Sequence, residues 1–145
     1  MGCADIHRVL EIAGSLTEAP RWTRENYTSA LDPAALPARI ALVADAPRDG
    51  VLGFLVTFMV PPQAELESVA VSKQAQRQGI GACLFAELLR ILKERQITEV
   101  MLEVRESNHP AQAFYRSLGF DPTGRRTSYY SEPKEDAILL RRSVG

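Results

Sequence analysis

Cysteine and histidine are scarce in this chain, two of each in 145 residues. Cys3 and Cys83 stand far apart, so neither a disulfide framework nor a zinc cluster fits, and no metal is expected. A reducing cytoplasm suits such a sequence. No apolar run approaches the roughly 20 residues that cross a bilayer, and the N-terminus lacks the apolar stretch of a signal peptide. Gly2 does not open a myristoylation motif either, because position 6 is Ile. No membrane partner is expected. Basic residues are not in excess: 17 Lys and Arg meet 18 Asp and Glu, a formal net charge of −1. That balance excludes a strongly basic nucleic-acid binder, and no direct nucleic-acid contact is expected. Repeats, linkers and low-complexity tracts are missing too, so residues 1–145 read as one domain.

What is present centres on Gln76-Arg77-Gln78-Gly79-Ile80-Gly81, set between the apolar run Ser68-Val69-Ala70-Val71 and a helical run from Ala82 to Arg95. This reads as strand, turn and helix. Two glycines let the backbone approach a ligand closely, and the helix start offers unpaired N–H groups and the positive end of its dipole to an anion such as a pyrophosphate. A P-loop would need Lys-Ser or Lys-Thr after the second glycine, and a dinucleotide fingerprint would need a small residue where Leu84 sits. Neither is there. By itself the spacing is equally consistent with a tight turn.

Before this loop, Asp5 is placed to cap a helix with apolar Ile6, Val9, Leu10, Ala13 and Leu16. The segment Glu18 to Thr23 breaks it, with Thr23 placed to cap a shorter helix through Tyr27 and Leu31 that stops before Pro33. Trp22 sits at the joint, as a packing anchor or a substrate contact. Ile40–Ala44 and Val51–Val60 read as a hairpin about Asp49-Gly50, and Glu65–Val71 as a third strand. After the Ala82–Arg95 helix, Ile97–Arg105 alternates, with Val100, Leu102 and Val104 on one face and Met101, Glu103 and Arg105 on the other. Asn108-His109-Pro110 starts a helix with Ala113, Phe114 and Leu118 spaced for burial, ended by Gly119. A short strand, Ala137–Leu140, closes the sheet. The order is α-α-β-β-β-α-β-α-β.

Val69-Ala70-Val71, the glycine loop, Glu103-Val104-Arg105, Asn108, Ala113-Phe114-Tyr115 and Leu118-Gly119-Phe120 together resemble the GNAT N-acetyltransferases. The resemblance covers most of the chain. Pro20-Arg21-Trp22-Thr23, Glu-Val-Arg-x-x-Asn and Arg125–Tyr130 before Glu135-Asp136-Ala137 resemble the RimI type, which acetylates the N-terminal alanine of a small-subunit ribosomal protein. The resemblance implies an α/β (α+β) fold: a mixed central sheet flanked by helices, with two parallel strands splayed into a CoA cleft. Family members open with a strand, whereas here only Met1 to Ala4 precede Asp5, so the first strand is expected to be missing or truncated.

From the resemblance, acetyl-CoA is the cosubstrate, its acetyl group near Val69, Ala70 and Val71, its pyrophosphate on Gln76, Arg77, Gln78, Gly79, Ile80, Gly81 and Ala82, with Asn108 in contact. Glu103 would accept the amine proton, directly or through water, with its pKa raised if the strand face is dry, and Tyr115 would protonate the departing thiolate. On pattern alone Glu103 is a solvated strand carboxylate and Tyr115 a packing residue. The acceptor is expected to be a protein N-terminal segment, met by Trp22, Glu67, Tyr129 and Tyr130, with Glu65, Glu67 and Glu103 attracting its charge. A small-molecule amine or a protein lysine is the alternative acceptor, and a non-catalytic acyl-CoA-binding module the third reading.

Overall fold

The computed structural model describes residues 1–15, 22–131 and 133–145. Helix α1, Ile6–Gly14, buries Ile6, Val9, Ile12 and Ala13. The expected cap behaves differently: Cys3–Asp5 is a 3-10 turn, and the Asp5 carboxylate accepts the Gly2 N–H at 2.8 Å, closing the turn ahead of the helix. Leu16 and the Glu18 to Arg21 part of the break lie outside the described residues. Helix α2, Arg24–Ala30, has the expected Thr23 cap, in which the Asn26 N–H donates to Thr23 Oγ1 and Asn26 Oδ1 accepts from the Thr23 N–H.

Strands β1, Ala38–Ala46, and β2, Gly50–Val60, form the hairpin, with Gly50 at φ +68°, a turn conformation that suits glycine. Strand β3, Gln63–Val71, follows, then helix α3, Ile80–Glu94, strand β4, Glu99–Arg105, and helix α4, His109–Ser117. The tail departs from expectation. It is a long hairpin, β5, Asp121–Ser131, and β6, Lys134–Ser143, and the sheet runs β1-β2-β3-β4-β6-β5. Strand β6 is therefore internal and β5 closes the edge. Strand β5 is exposed along almost its whole length. An edge strand with no buried face carries no apolar alternation, and Pro122 and Gly124 within it read as loop.

No strand precedes α1 among the described residues, and β1 is the other edge, where the Met1 ammonium donates to the Ala41 carbonyl.

Two cores lie on opposite faces of the sheet. One gathers Leu84, Phe85, Leu88 and Leu92 of α3 against Leu55, Leu66, Val100, Leu102 and Leu140. The other gathers α1 and α2 against Val51, Phe54, Val56 and Ala70. Strand β3 serves both, and a bulge explains how. Val56 pairs with Ser68 and Thr57 with Leu66, so Glu67 is the extra residue. Ala64 and Leu66 consequently point to the α3 face, while Ser68 and Ala70 point to the other.

Tyr27 joins α2 to the far side of that bulge. It is fully buried, its hydroxyl is 3.4 Å from Ser68 Oγ and its ring meets Phe54 edge-on at 5.7 Å. Tyr27→Phe should strand Ser68 without a partner and lower stability by about 1 kcal/mol in urea unfolding. Adding Ser68→Ala should recover part of the loss.

Candidate active site

Strands β3 and β4 run parallel for only three pairs, Gln63 with Glu99, Ala64 with Val100 and Glu65 with Met101. The ladder stops just before the bulged Glu67, and beyond it the strands part. The gap opens on the α3 face into a cleft of about 640 Å³. Val69, Ala70, Val71, Gln76, Arg77, Gly79, Ile80, Gly81 and Ala82 line it, as do Tyr115 and Phe114. Gln78 and Asn108 are not among the lining residues: Gln78 Nε2 donates to the Gln74 carbonyl at 3.4 Å, and Asn108 Oδ1 caps α4 by accepting the Ala111 N–H at 3.2 Å.

The loop is shaped for an anion. Arg77 and Gly79 both adopt left-handed backbone, at φ +65° and +79°. The first intrahelical bond of α3 runs from the Cys83 N–H to the Gly79 carbonyl at 3.0 Å. The N–H groups of Ile80, Gly81 and Ala82 precede it and carry the positive end of the helix dipole. Gly81 gives the close approach of the cleft walls, since a Cβ there would lie 2.6 Å from Phe114 Cζ and displace that ring. Val71 also faces the gap. The Ser72 N–H donates to Leu52 on β2, so by strand alternation the polar groups of Val71 point the other way, and its carbonyl accepts from Gln76 Nε2 at 3.1 Å.

Helix α4 forms the opposite wall. Ala113 and Phe114 are not buried as expected, because this apolar face of α4 borders the open cleft, while Leu118, just past the helix, packs partly buried against the α3-side core. Pro110, Ala111 and Phe114 therefore belong to the site, although their sequence signal was indistinguishable from core packing. The Tyr115 ring lies tilted to Phe114, centroids 5.5 Å apart, and meets Phe120 edge-on at 5.8 Å. Loss of solvent around its partly buried phenol, then the neighbouring Tyr130, holds its pKa well above the usual tyrosine value, so it stays protonated throughout the neutral range.

Glu103 lies on the other face of β4, away from Val100, Leu102 and Val104. Its side chain is 15% exposed and forms an ion pair with Arg126, whose Nε lies 2.9 Å from a carboxylate oxygen. The neighbouring Glu103 carboxylate first, and burial second, push the Tyr129 phenol up to about 12. Tyr130 is half-buried, with the Arg105 guanidinium 4.2 Å above its ring, and its pKa is raised by burial and then by Glu103. Tyr130 thus lies within the electrostatic reach of both Tyr115 and Glu103.

Of the remaining acids, Glu67 is engaged by Arg39, whose Nε donates at 2.8 Å. Glu65 has no ion-pair partner among the described residues. Burial raises its carboxyl pKa, and Glu103 and Glu67 add to the effect. The desolvated carboxyl of this face is therefore that of Glu65, which pattern alone did not separate from Glu67. Trp22 is partly buried in the α1–α2 core with its ring 5.1 Å from Tyr27, and serves there as the joint's packing anchor. Among the described residues no group of three His, Cys, Asp or Glu could hold a metal ion, and no helix is long and apolar enough to cross a membrane.

The arrangement joins an anion cradle, a protonated phenol and a cluster of carboxylates across one parted pair of strands. Comparison with known proteins gives a consistent answer. A Bacillus subtilis protein provisionally named a ribosomal protein bS18-alanine N-acetyltransferase is 33% identical over 141 residues, covering 97% of this chain and 90% of that protein. The crystal structure of the ribosomal-protein-S18-alanine N-acetyltransferase from Escherichia coli superposes with a TM-score of 0.81 at 28% identity, covering all of this chain and 91% of that one. A Bacillus anthracis acetyltransferase solved with acetyl coenzyme A is similar over 72% of this chain and 62% of its own, at 27% identity and a TM-score of 0.67. The family model of the GNAT acetyltransferases matches residues 6–120, and the chain, with its mixed six-stranded sheet and parted parallel strands, belongs to that family of N-acetyltransferases.

Proposed function

We propose that this chain transfers the acetyl group of acetyl-CoA to the N-terminal α-amine of a protein, an alanine at the start of a ribosomal protein of the bS18 kind. The parting of β3 and β4 carries the reading. It sets the glycine loop and Tyr115 on one face of the sheet and Glu103 with Glu65 on the other, so a thioester and an amine can meet through the gap from opposite sides. The α3 start and the apolar cleft walls suit a cosubstrate with a pyrophosphate and a long, weakly polar arm. Acetyl-CoA supplies an activated acetyl group.

The residues of the chain then have definite tasks. The N–H groups of Ile80, Gly81 and Ala82 hold the phosphate end without a lysine. The Val71 N–H, turned to the gap, is placed to polarise a carbonyl oxygen. An α-amine with a pKa near 8 is only about one-tenth neutral at pH 7, so a base must take a proton from the ammonium before the amine can attack. Glu103 accepts it, directly or through water. Tyr115, kept protonated by burial, donates its proton toward the leaving sulfur as the carbon–sulfur bond breaks. Glu65, without an ion-pair partner among the described residues, favours a cationic acceptor beside Glu103, and Tyr129 and Tyr130 wall the approach.

Mass-spectrometric assay of acetyl-CoA with short peptides bearing N-terminal alanine should yield the acetylated α-amine. Acetylation confined to lysine side chains, or a small amine that outcompetes every peptide, would sink the proposal. Glu103→Gln should lower kcat by about a hundredfold near neutrality, and Tyr115→Phe by a similar factor with little change in KM. The Glu103→Gln deficit should shrink above about pH 8, where the amine deprotonates unaided.

Glu65 supplies a separate check through stability. Its pKa is higher folded than unfolded, where it titrates near 4.5, so above that pH the folded state holds the extra proton. Stability is therefore lost as pH rises through the folded value. Glu65→Gln should raise Tm by about 2 °C at neutral pH, a modest gain because the group is partly exposed and screened. The gain should vanish below about pH 4, where the unfolded carboxyl is protonated as well.

A further inference from the structure

The Glu103 carboxylate is already occupied. Arg126 Nε lies 2.9 Å from it, and an acceptor ammonium approaching that oxygen meets a guanidinium in its place. The two partners are held very differently. Glu103 is in the middle of β4, paired with Leu139 of β6, and its side chain is 15% exposed against 58% for Arg126. Arg126 is the last regularly paired residue of β5 before the register slips: it faces Ala137, and Tyr130, four residues on, faces Glu135, only two back along β6. Arg126 can swing into water and remain solvated, whereas Glu103 cannot follow.

The local charge balance asks for one more cation. Glu65, Glu67 and Glu103 face this region from β3 and β4, against Arg39 on Glu67 and Arg126 on Glu103, with Arg105 turned to Tyr130 and Glu135. Three carboxylates against those two guanidiniums leave one negative charge, and Glu65 carries it.

We infer that Arg126 is an internal stand-in for the acceptor's α-ammonium: it holds Glu103 while no acceptor is bound, yields to the incoming ammonium, and returns when acetylation has made that nitrogen a neutral amide. The exchange lets a charged amine in and disfavours retention of the uncharged product. It rests on the reading of Glu103 as the group that meets the acceptor amine.

Calorimetric titration of the CoA-bound protein with a short alanine-initiated peptide, and with the same peptide N-acetylated, tests this. Arg126→Gln should bind the free-amine peptide about three- to fivefold more tightly at low salt, the range open to a partly exposed ion pair. The gain should fade at high salt and be absent for the acetylated peptide. Arg126→Lys, which keeps a cation, should show a smaller gain. If the glutamine variant does not fold, Arg126→Met, which keeps an apolar stem beside Tyr129, reads the same affinities. Unchanged or weaker binding of the free-amine peptide would overturn the inference, as would an equal gain for both peptides. Turnover of Glu103→Gln decides the base assignment separately, so loss of turnover there with no affinity gain at Arg126 condemns only the stand-in.

Discussion

One unpaired residue in a ladder governs this molecule. Because Glu67 has no partner on β2, β3 changes the face to which its alternate side chains point, and its hydrogen bonding to β4 lapses at the same place. A continuous ladder would bury Ser68 and Ala70 with Leu66 on the α3 side and leave no gap between parallel strands. The bulge instead supplies an apolar floor to both helical layers and an opening between them. Arg39 holds Glu67 at 2.8 Å, and Tyr27 holds Ser68 from the α2 side, so both flanks of the irregularity are tied down by polar contacts.

The two faces that meet at this opening differ in electrostatic character. On the α3 side the chain presents N–H groups and apolar carbon, a setting for a bound anion. On the other side it presents carboxylates, only partly neutralised, and phenols that stay protonated. An anionic donor and a cationic acceptor would thereby be sorted by charge before any close contact is made. Tyr130 is influenced by groups on both faces and marks where they join.

Much of this was legible in the residues. The caps at Thr23 and Asn108, the hairpin at Gly50 and the strand–loop–helix around Gly79 each rest on local chemistry that survives folding intact. Strand β5 was not legible, because it buries nothing and so shows no periodicity. The bulge was hidden for the opposite reason: Ala64, Leu66, Ser68 and Ala70 keep a regular alternate burial even as they serve two different cores. Phe114 and Ala113 read as core because a cleft wall and a core both call for apolar residues. The pairing of Glu67 with Arg39, which leaves Glu65 as the acid without a partner, depends on contacts 28 positions apart and has no local signature.

The contact at Gly81 has a mechanical side. With only hydrogen where other residues carry carbon, the first turn of α3 lets the Phe114 ring come so near that a Cβ could not be inserted. The two cleft walls therefore touch at one point, beside the N–H groups of α3 and one residue from Tyr115. A ligand that tilted that turn toward α4 would press on the Phe114 ring, and Phe114 precedes Tyr115 in the chain with the two rings 5.5 Å apart. The phosphate end of the cleft and the Tyr115 phenol are in this way connected through an aromatic contact.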